Sequence, residues 1–460
     1  MKVTSYELRV TSRLRMALRI TALMAMGTVL LLSTPAGAET LLLKGAAVHT
    51  VSGAALSQGE VLIQNGKVVQ VFDVSKQTLT RRLLPTDTVE VDLKGLHLYP
   101  GLVLLDASLG LEEIRAVRAT VDEAEVGEFT PDVQSWIAVN PDSELLPVAR
   151  ANGVAYFEPV PQGSAVAGQS ALLALDGWTT EQMTVRKPLA LHVFWPRMEL
   201  NMTPKEQAPD KAKWKSLDEQ TKERAAKLRA LEDFFKEAQA YAKAKDAAGK
   251  GEATAPTPDP SWEAMLPFVR GERSLVIHAD EVRQIKSAVA WVATNQFKVI
   301  LAGGLDAWRV AGLLATNRIP VIFEHVFALP SRDSEAYDAH FRAPEVLRKA
   351  GVTVAFTVGG GFAAALAKNL PYEAAQAVAF GLPADEAVKG ITLYPAQIAG
   401  VADRLGSIEA GKDATLFAMD GEVLDIRANV KRMWIAGKEV SLENRHTRLY
   451  EKYKNRPKTK

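Results

Sequence analysis

The 460-residue sequence contains no cysteine. A disulfide, a thiolate zinc site and a catalytic thiol are therefore excluded, and a lipid anchor on a cleavage-site cysteine is not expected. The sequence also lacks a charge excess: 55 Lys and Arg stand against 54 Asp and Glu. Composition thus gives no case for nucleic acid or an anionic surface as partner. Long apolar runs are scarce as well. Ile20 to Leu32 is short of the ~20 residues that cross a bilayer. No internal repeat is evident.

What is present at the N-terminus reads as an export signal. Lys2, Arg9, Arg13, Arg15 and Arg19 form a basic stretch, the apolar run follows, and Ala36-Gly37-Ala38 offers small residues at a cleavage site. Residues 1–38 are accordingly expected to be removed. The mature chain would then be periplasmic or extracellular, with no stable membrane insertion.

With 47% hydrophobic residues the rest has ample material for a core. Leu41 to His49 and Glu60 to Val74 alternate apolar and polar residues, and Asn65-Gly66 marks a type I′ hairpin. Ala414 to Met419 and Arg432 to Ile435 read as further short strands, the second ending in a turn at Gly437. Two β-rich ends around an α/β middle suggest a small module built from both, taken as 39–98 and 404–442 and expected to be a β-sandwich. Residues 443–460 are left as a tail.

The middle, 99–403, carries eight short apolar runs: Leu102–Leu105, Val154–Val160, Ala171–Leu175, Leu189–Val193, Leu275–His278, Val299–Ala302, Pro320–Phe323 and Thr353–Phe356. Helical patterns follow several of them, most clearly Asp280–Thr294 and Ala307–Thr316. That alternation favours an α/β fold of the TIM-like (β/α)8 barrel type. No helix fits between the second and third runs or between the third and fourth. A charged segment, 205–260, interrupts the pattern. Its residues Trp214, Leu217, Ala225, Leu228, Leu231, Phe235 and Ala238 mark one apolar helical face. It reads as a hairpin on the barrel rim, with a lid or a partner-binding arm as the alternative.

Several segments resemble the amidohydrolase superfamily, in particular its imidazolonepropionase-like branch. They are Tyr99-Pro100-Gly101-Leu102-Val103 with Gly110-Leu111, Gly163 to Ser170, Ile277-His278-Ala279 and, most specifically, Leu405-Gly406-Ser407-Ile408-Glu409-Ala410-Gly411-Lys412-Asp413-Ala414. The resemblance implies a barrel with the small β-module, hydrolysing C–N bonds other than peptide bonds, or those of small peptides. One or two divalent metals would activate water there. It also implies an H-x-H pair on the first strand, a lysine or acidic ligand on the fourth, histidines on the fifth and sixth, and an aspartate after the eighth.

This chain departs from that pattern. Asp106-Ala107-Ser108 stands at the H-x-H pair, Ala302 near the sixth-strand histidine, and Val358 near the aspartate; His278 alone matches a histidine position. Impaired or absent binuclear metal catalysis is therefore expected. A single divalent ion such as zinc remains compatible, and no residue is assigned as a metal ligand. The candidate catalytic residues are His278 and Asp106. Glu158, His192, Glu324 and His325, at other strand ends, are the candidate substrate-binding residues. The substrate class is a small amide or cyclic amide. The alternative is a catalytically inactive barrel that binds a ligand or acts as a scaffold in the cell envelope. Whether turnover occurs, and whether the chain self-associates, are left open by the residues.

Overall fold

The computed structural model describes residues 40–75, 84–163, 165–360 and 362–457. The expected signal segment, 1–38, lies outside these residues. No helix among them is long and apolar enough to cross a membrane.

The chain begins with β1 (Thr40–Val48), β2 (Leu56–Gln64), β3 (Lys67–Asp73), β4 (Val89–Asp92) and β5 (His97–Pro100). The middle contributes β6 (Leu102–Ala107), β7 (Val154–Pro159), β8 (Val166–Gln169), β9 (Leu172–Ala174), β10 (Thr184–Arg186), β11 (Ala190–Phe194), β12 (Ser274–Ala279), β13 (Val299–Gly303), β14 (Val321–Phe323) and β15 (Val354–Phe356). It ends with β16 (Leu416–Met419), β17 (Val430–Ile435) and β18 (Lys438–Glu439).

Both ends of the chain share one eight-stranded sheet, ordered β18-β17-β16-β5-β1-β2-β3 with β4 also paired to β1. The pairing describes a single hydrogen-bonded sheet, where the sequence led us to expect a sandwich. Its buried side includes Leu43, Val48, Val61, Ile63, Leu98, Leu416 and Trp434. Asn65 and Gly66 adopt φ of 52° and 74°, the positive values a type I′ turn demands. A Cβ on Gly66 would lie 2.4 Å from the Ala436 carbonyl oxygen, so the first hairpin abuts the last one through glycine alone. The segment Leu405–Ala414 stitches the middle of the chain to this sheet. Ile408 donates to the Thr50 carbonyl, Gly411 to Val68 and Ala414 to Gly66, at 3.0, 2.8 and 2.8 Å.

All eight apolar runs of the middle form strands, but not one closed ring. β6 and β7 pair in parallel, and β11 to β15 form a parallel series. The third run, β9, instead pairs antiparallel with β7, and β8 pairs antiparallel with β11. Only Ser170 and Ala171 separate β8 from β9, too few for the crossover of a dozen or more residues that a parallel neighbour needs, and the two strands lie in different sheets. Hydrogen bonding among the described strands thus divides into a four-stranded and a six-stranded sheet. Between β15 and β6 the link is a side chain: Thr357 Oγ1 donates to the Leu105 carbonyl at 2.5 Å. The observed class is mixed α/β.

The charged segment 205–260 proves to be mainly one helix, Leu217–Gly249, rather than a hairpin. Ser216 and Glu219 form a capping box at its start. Leu231, Phe235, Ala238 and Ala242 are buried. Phe235 packs against Trp291 and Phe297, with ring centroids 4.9 and 5.4 Å away. With helix Pro260–Val269 it forms the long crossover between the parallel strands β11 and β12.

Candidate functional site

Parallel strands of this kind aim their C-terminal ends at one rim, and the chemistry-bearing side chains gather there. A cavity of about 370 Å3 opens at that rim. Its wall includes Asp106, Ser108, Arg115, Phe194, Arg197, His278, Asp280 and Glu324.

The core of the site is a row of two imidazoles with an acid at each end. Glu158, at the end of β7, accepts from Ser170 Oγ at 2.6 Å and from the Asp106 N–H at 3.1 Å. His192 Nε2 lies 3.4 Å from Glu158 Oε1, without the alignment of a hydrogen bond. Its Nδ1 is 3.0 Å from His278 Nε2. His278 Nδ1 in turn lies 3.8 Å from Asp106 Oδ2. The Phe194 ring stacks on His278 at 4.1 Å and holds its plane. Asp106 keeps a left-handed backbone, φ 53°, at the end of β6, a costly conformation for a residue with a Cβ. Glu158 and His192 are buried, while Asp106 and His278 face the cavity.

Burial dominates the charge states. It pushes the Asp106 carboxyl well above its usual range, reinforced by the charges of Glu324, Glu158 and Asp280. It also holds the His278 imidazole well below its usual pKa, helped by His192. The surroundings thus favour the neutral form of the imidazole and the protonated form of the carboxyl on the cavity wall.

A second group forms alongside. His325 Nε2 bonds Asp280 Oδ1 at 2.7 Å. Burial opposes charge on both, but their mutual contact wins: Asp280 is held below its ordinary value and His325 above. Gly303 makes room for this acid, since a Cβ there would sit 2.6 Å from Asp280 Oδ1. Glu324 Oε1 accepts from the Gly360 N–H at 3.2 Å, and a Cβ on Gly359 would fall 2.0 Å from Glu324 Cγ. The glycine run near Val358 is thus a seat for Glu324. Behind it, Glu373 is buried with Oε2 unpartnered, and burial together with Glu324 pushes its pKa up to about 8, against the pull of His325.

The structure therefore brings Asp106, Glu158, His192 and His278 into one row. It sets His325 and Glu324 beside them in separate contacts, His325 on Asp280 and Glu324 on Gly360. Sequence reasoning missed Asp280, Glu373, Arg115 and Arg197. Asp280 had a signal: it lies two residues past His278, so strand alternation carries both to one face. Ser108, at the expected H-x-H pair, buries its hydroxyl without a partner. Among the described residues, no three His, Asp or Glu donors of the cavity rim lie within 4.8 Å of one another.

Residues 271–440 match the amidohydrolase family model. Among curated proteins, the amidohydrolase tasK of Hapsidospora irregularis is 22% identical over 409 residues, which is 82% of this chain. The chain spans 39% of that protein's length. Among solved structures, an amidohydrolase from Thermotoga maritima MSB8 is 25% identical, with a TM-score of 0.72 over 87% of this chain and 99% of the other. A prolidase complexed with N-methylphosphonate-L-proline has a TM-score of 0.52 at 16% identity over 87% and 99% of the two chains, a likeness of fold. The matching segment contains both His278 and the Leu405–Ala414 stitch, and the Thermotoga chain aligns along nearly its whole length, so these likenesses together support the amidohydrolase superfamily for this chain.

Proposed function

We propose that this chain is an exported hydrolase of a small amide or cyclic amide, with binuclear metal catalysis impaired or absent. The observation that carries the reading is the placement of His278 and Asp106, side by side on the cavity wall and backed by the His192–Glu158 row. The donor set at the rim does not suit two cations. Ser108 and Ala302 occupy positions where the family resemblance expects histidine, and the imidazoles of His192 and His278 are bonded to each other.

The chain's own groups suffice to write a hydrolysis. A water in the cavity adds to the carbonyl carbon as neutral His278 accepts its proton. The Asp106 carboxyl gives its proton to the leaving nitrogen, and the C–N bond breaks to yield an acid and an amine. Proton return from His278 to Asp106 restores both groups. Arg197 on the wall offers a positive charge to the developing oxyanion.

The test is turnover of a panel of small amides and cyclic amides by the full-length protein, metal-stripped and zinc-loaded. Turnover that survives stripping, and that falls by ~10²–10⁴-fold in His278→Gln, is the expected result. Turnover that appears only with two equivalents of zinc overturns the metal-independent step. Saturable ligand binding with no turnover in either state favours the inactive scaffold instead.

A further inference from the structure

Away from the cavity rim, His49 and His97 meet at the end of the terminal sheet. His49 follows β1, His97 opens β5, and the two strands pair in parallel. Glu422 arrives on the turn after β16, which pairs with β5. His49 Nε2 lies 3.0 Å from His97 Nδ1, and that same Nδ1 lies 3.7 Å from Glu422 Oε1. The three ligating atoms fall within 4.8 Å of one another. Two nitrogens bound to one zinc at 2.0–2.1 Å in tetrahedral geometry stand about 3.3 Å apart, close to the observed separation.

The surroundings resemble the supporting shell of a metal ligand set. Buried Tyr99 donates its hydroxyl to Glu422 Oε2 at 2.8 Å, which leaves Oε1 turned toward His97. The Tyr99 ring stacks on His49 at 4.1 Å and fixes the imidazole. A cavity of about 470 Å3 adjoins the group, lined also by Ser52, Asp385 and Lys389. It leaves one side open for water or a small ligand, as in zinc sites that keep a free position.

We infer that His49, His97 and Glu422 form a binding site for one divalent transition-metal ion, such as zinc, between the terminal sheet and helix Ala384–Gly390. It is separate from the hydrolytic cavity and independent of the reading given for that cavity.

The experiment is a chelator-competition titration of the metal-free, full-length protein with Zn2+. Wild type is expected to bind one equivalent at this site. His97→Ala or Glu422→Gln should weaken that binding by ~10–100-fold, as should Tyr99→Phe through its hold on Glu422. His278→Ala should leave it intact. No saturable binding, or binding lost in His278→Ala and kept in His97→Ala, overturns the site. Should the variants fail to fold, Co2+ added to folded wild type and to His278→Ala gives the second reading. Visible bands of a low-coordinate nitrogen and oxygen site in both proteins support the inference; their absence from either rejects it.

Discussion

The rim of the central cavity and the end of the terminal sheet both collect imidazoles and carboxylates, yet they differ in what those groups face. At the rim they face one another. His192 bonds His278, His325 bonds Asp280, and Glu324 takes a backbone N–H. At the sheet end His49 and His97 are also within hydrogen-bond distance of each other, but there a third donor, Glu422 Oε1, converges on the same two nitrogens beside an open cavity. A larger inventory of ionisable side chains therefore does not make a better cation site; convergence does. Mutually bonded groups are better suited to passing protons.

The sharpest way to break this contrast is His278→Gln, for which the ~10²–10⁴-fold loss of turnover given above should occur with Zn2+ binding unchanged. If both fall together, the two regions are not separate. Next comes Glu373→Gln. The Glu373 pKa is raised from an ordinary 4.5 to about 8, so ionising it costs the folded state. That penalty is absent below pH 4.5, grows as pH rises, and is complete above pH 8. Each pKa unit corresponds to about 1.4 kcal/mol, so the variant should gain up to a few kcal/mol at pH 9 and nothing at pH 4. Melting curves at both pH values check it.

Gly359→Ala should cost ~1–3 kcal/mol, because its Cβ would overlap Glu324 Cγ at 2.0 Å. Denaturant unfolding measures the loss, and Zn2+ affinity at the sheet end should not move. The smallest effect belongs to the His325–Asp280 pair. The contribution of His325, whose folded pKa is raised, is present below about pH 6.5 and is lost as pH climbs through the raised value. That of Asp280, whose folded pKa is lowered, is present above about pH 3.8 and lost as pH falls through the lowered value. His325→Gln should therefore destabilise by about 1 kcal/mol between pH 4 and 6.5, after allowance for the exposure of Asp280, and should converge on wild type near pH 9.

Much of this architecture was legible in the residues, because short apolar runs bounded by turn signals report strands whatever they pair with. The partners were not legible. Leu172–Ala174 has the same apolar character as its neighbours, yet it pairs antiparallel with β7 and β10, a direction that apolar character does not encode. His278 and His192 stood out as strand-end histidines, but their contact depends on how β11 aligns with β12. Asp280 was hidden because it reads equally well as the start of helix Val282–Asn295. His49, His97 and Glu422 are scattered along the chain, and neither spacing nor composition ties them. Only the side-by-side arrangement of β1, β5 and β16 does so.

That arrangement also sets an order of assembly. β5 receives β16 on one flank, and β16 leaves the ribosome only after the whole central region has been made. Until then the nascent chain carries an open strand edge, ready to pair with any similar edge nearby. A product cut short before Leu416 would keep that edge indefinitely and should self-associate, so intact delivery of the last strands protects the first ones from aggregation.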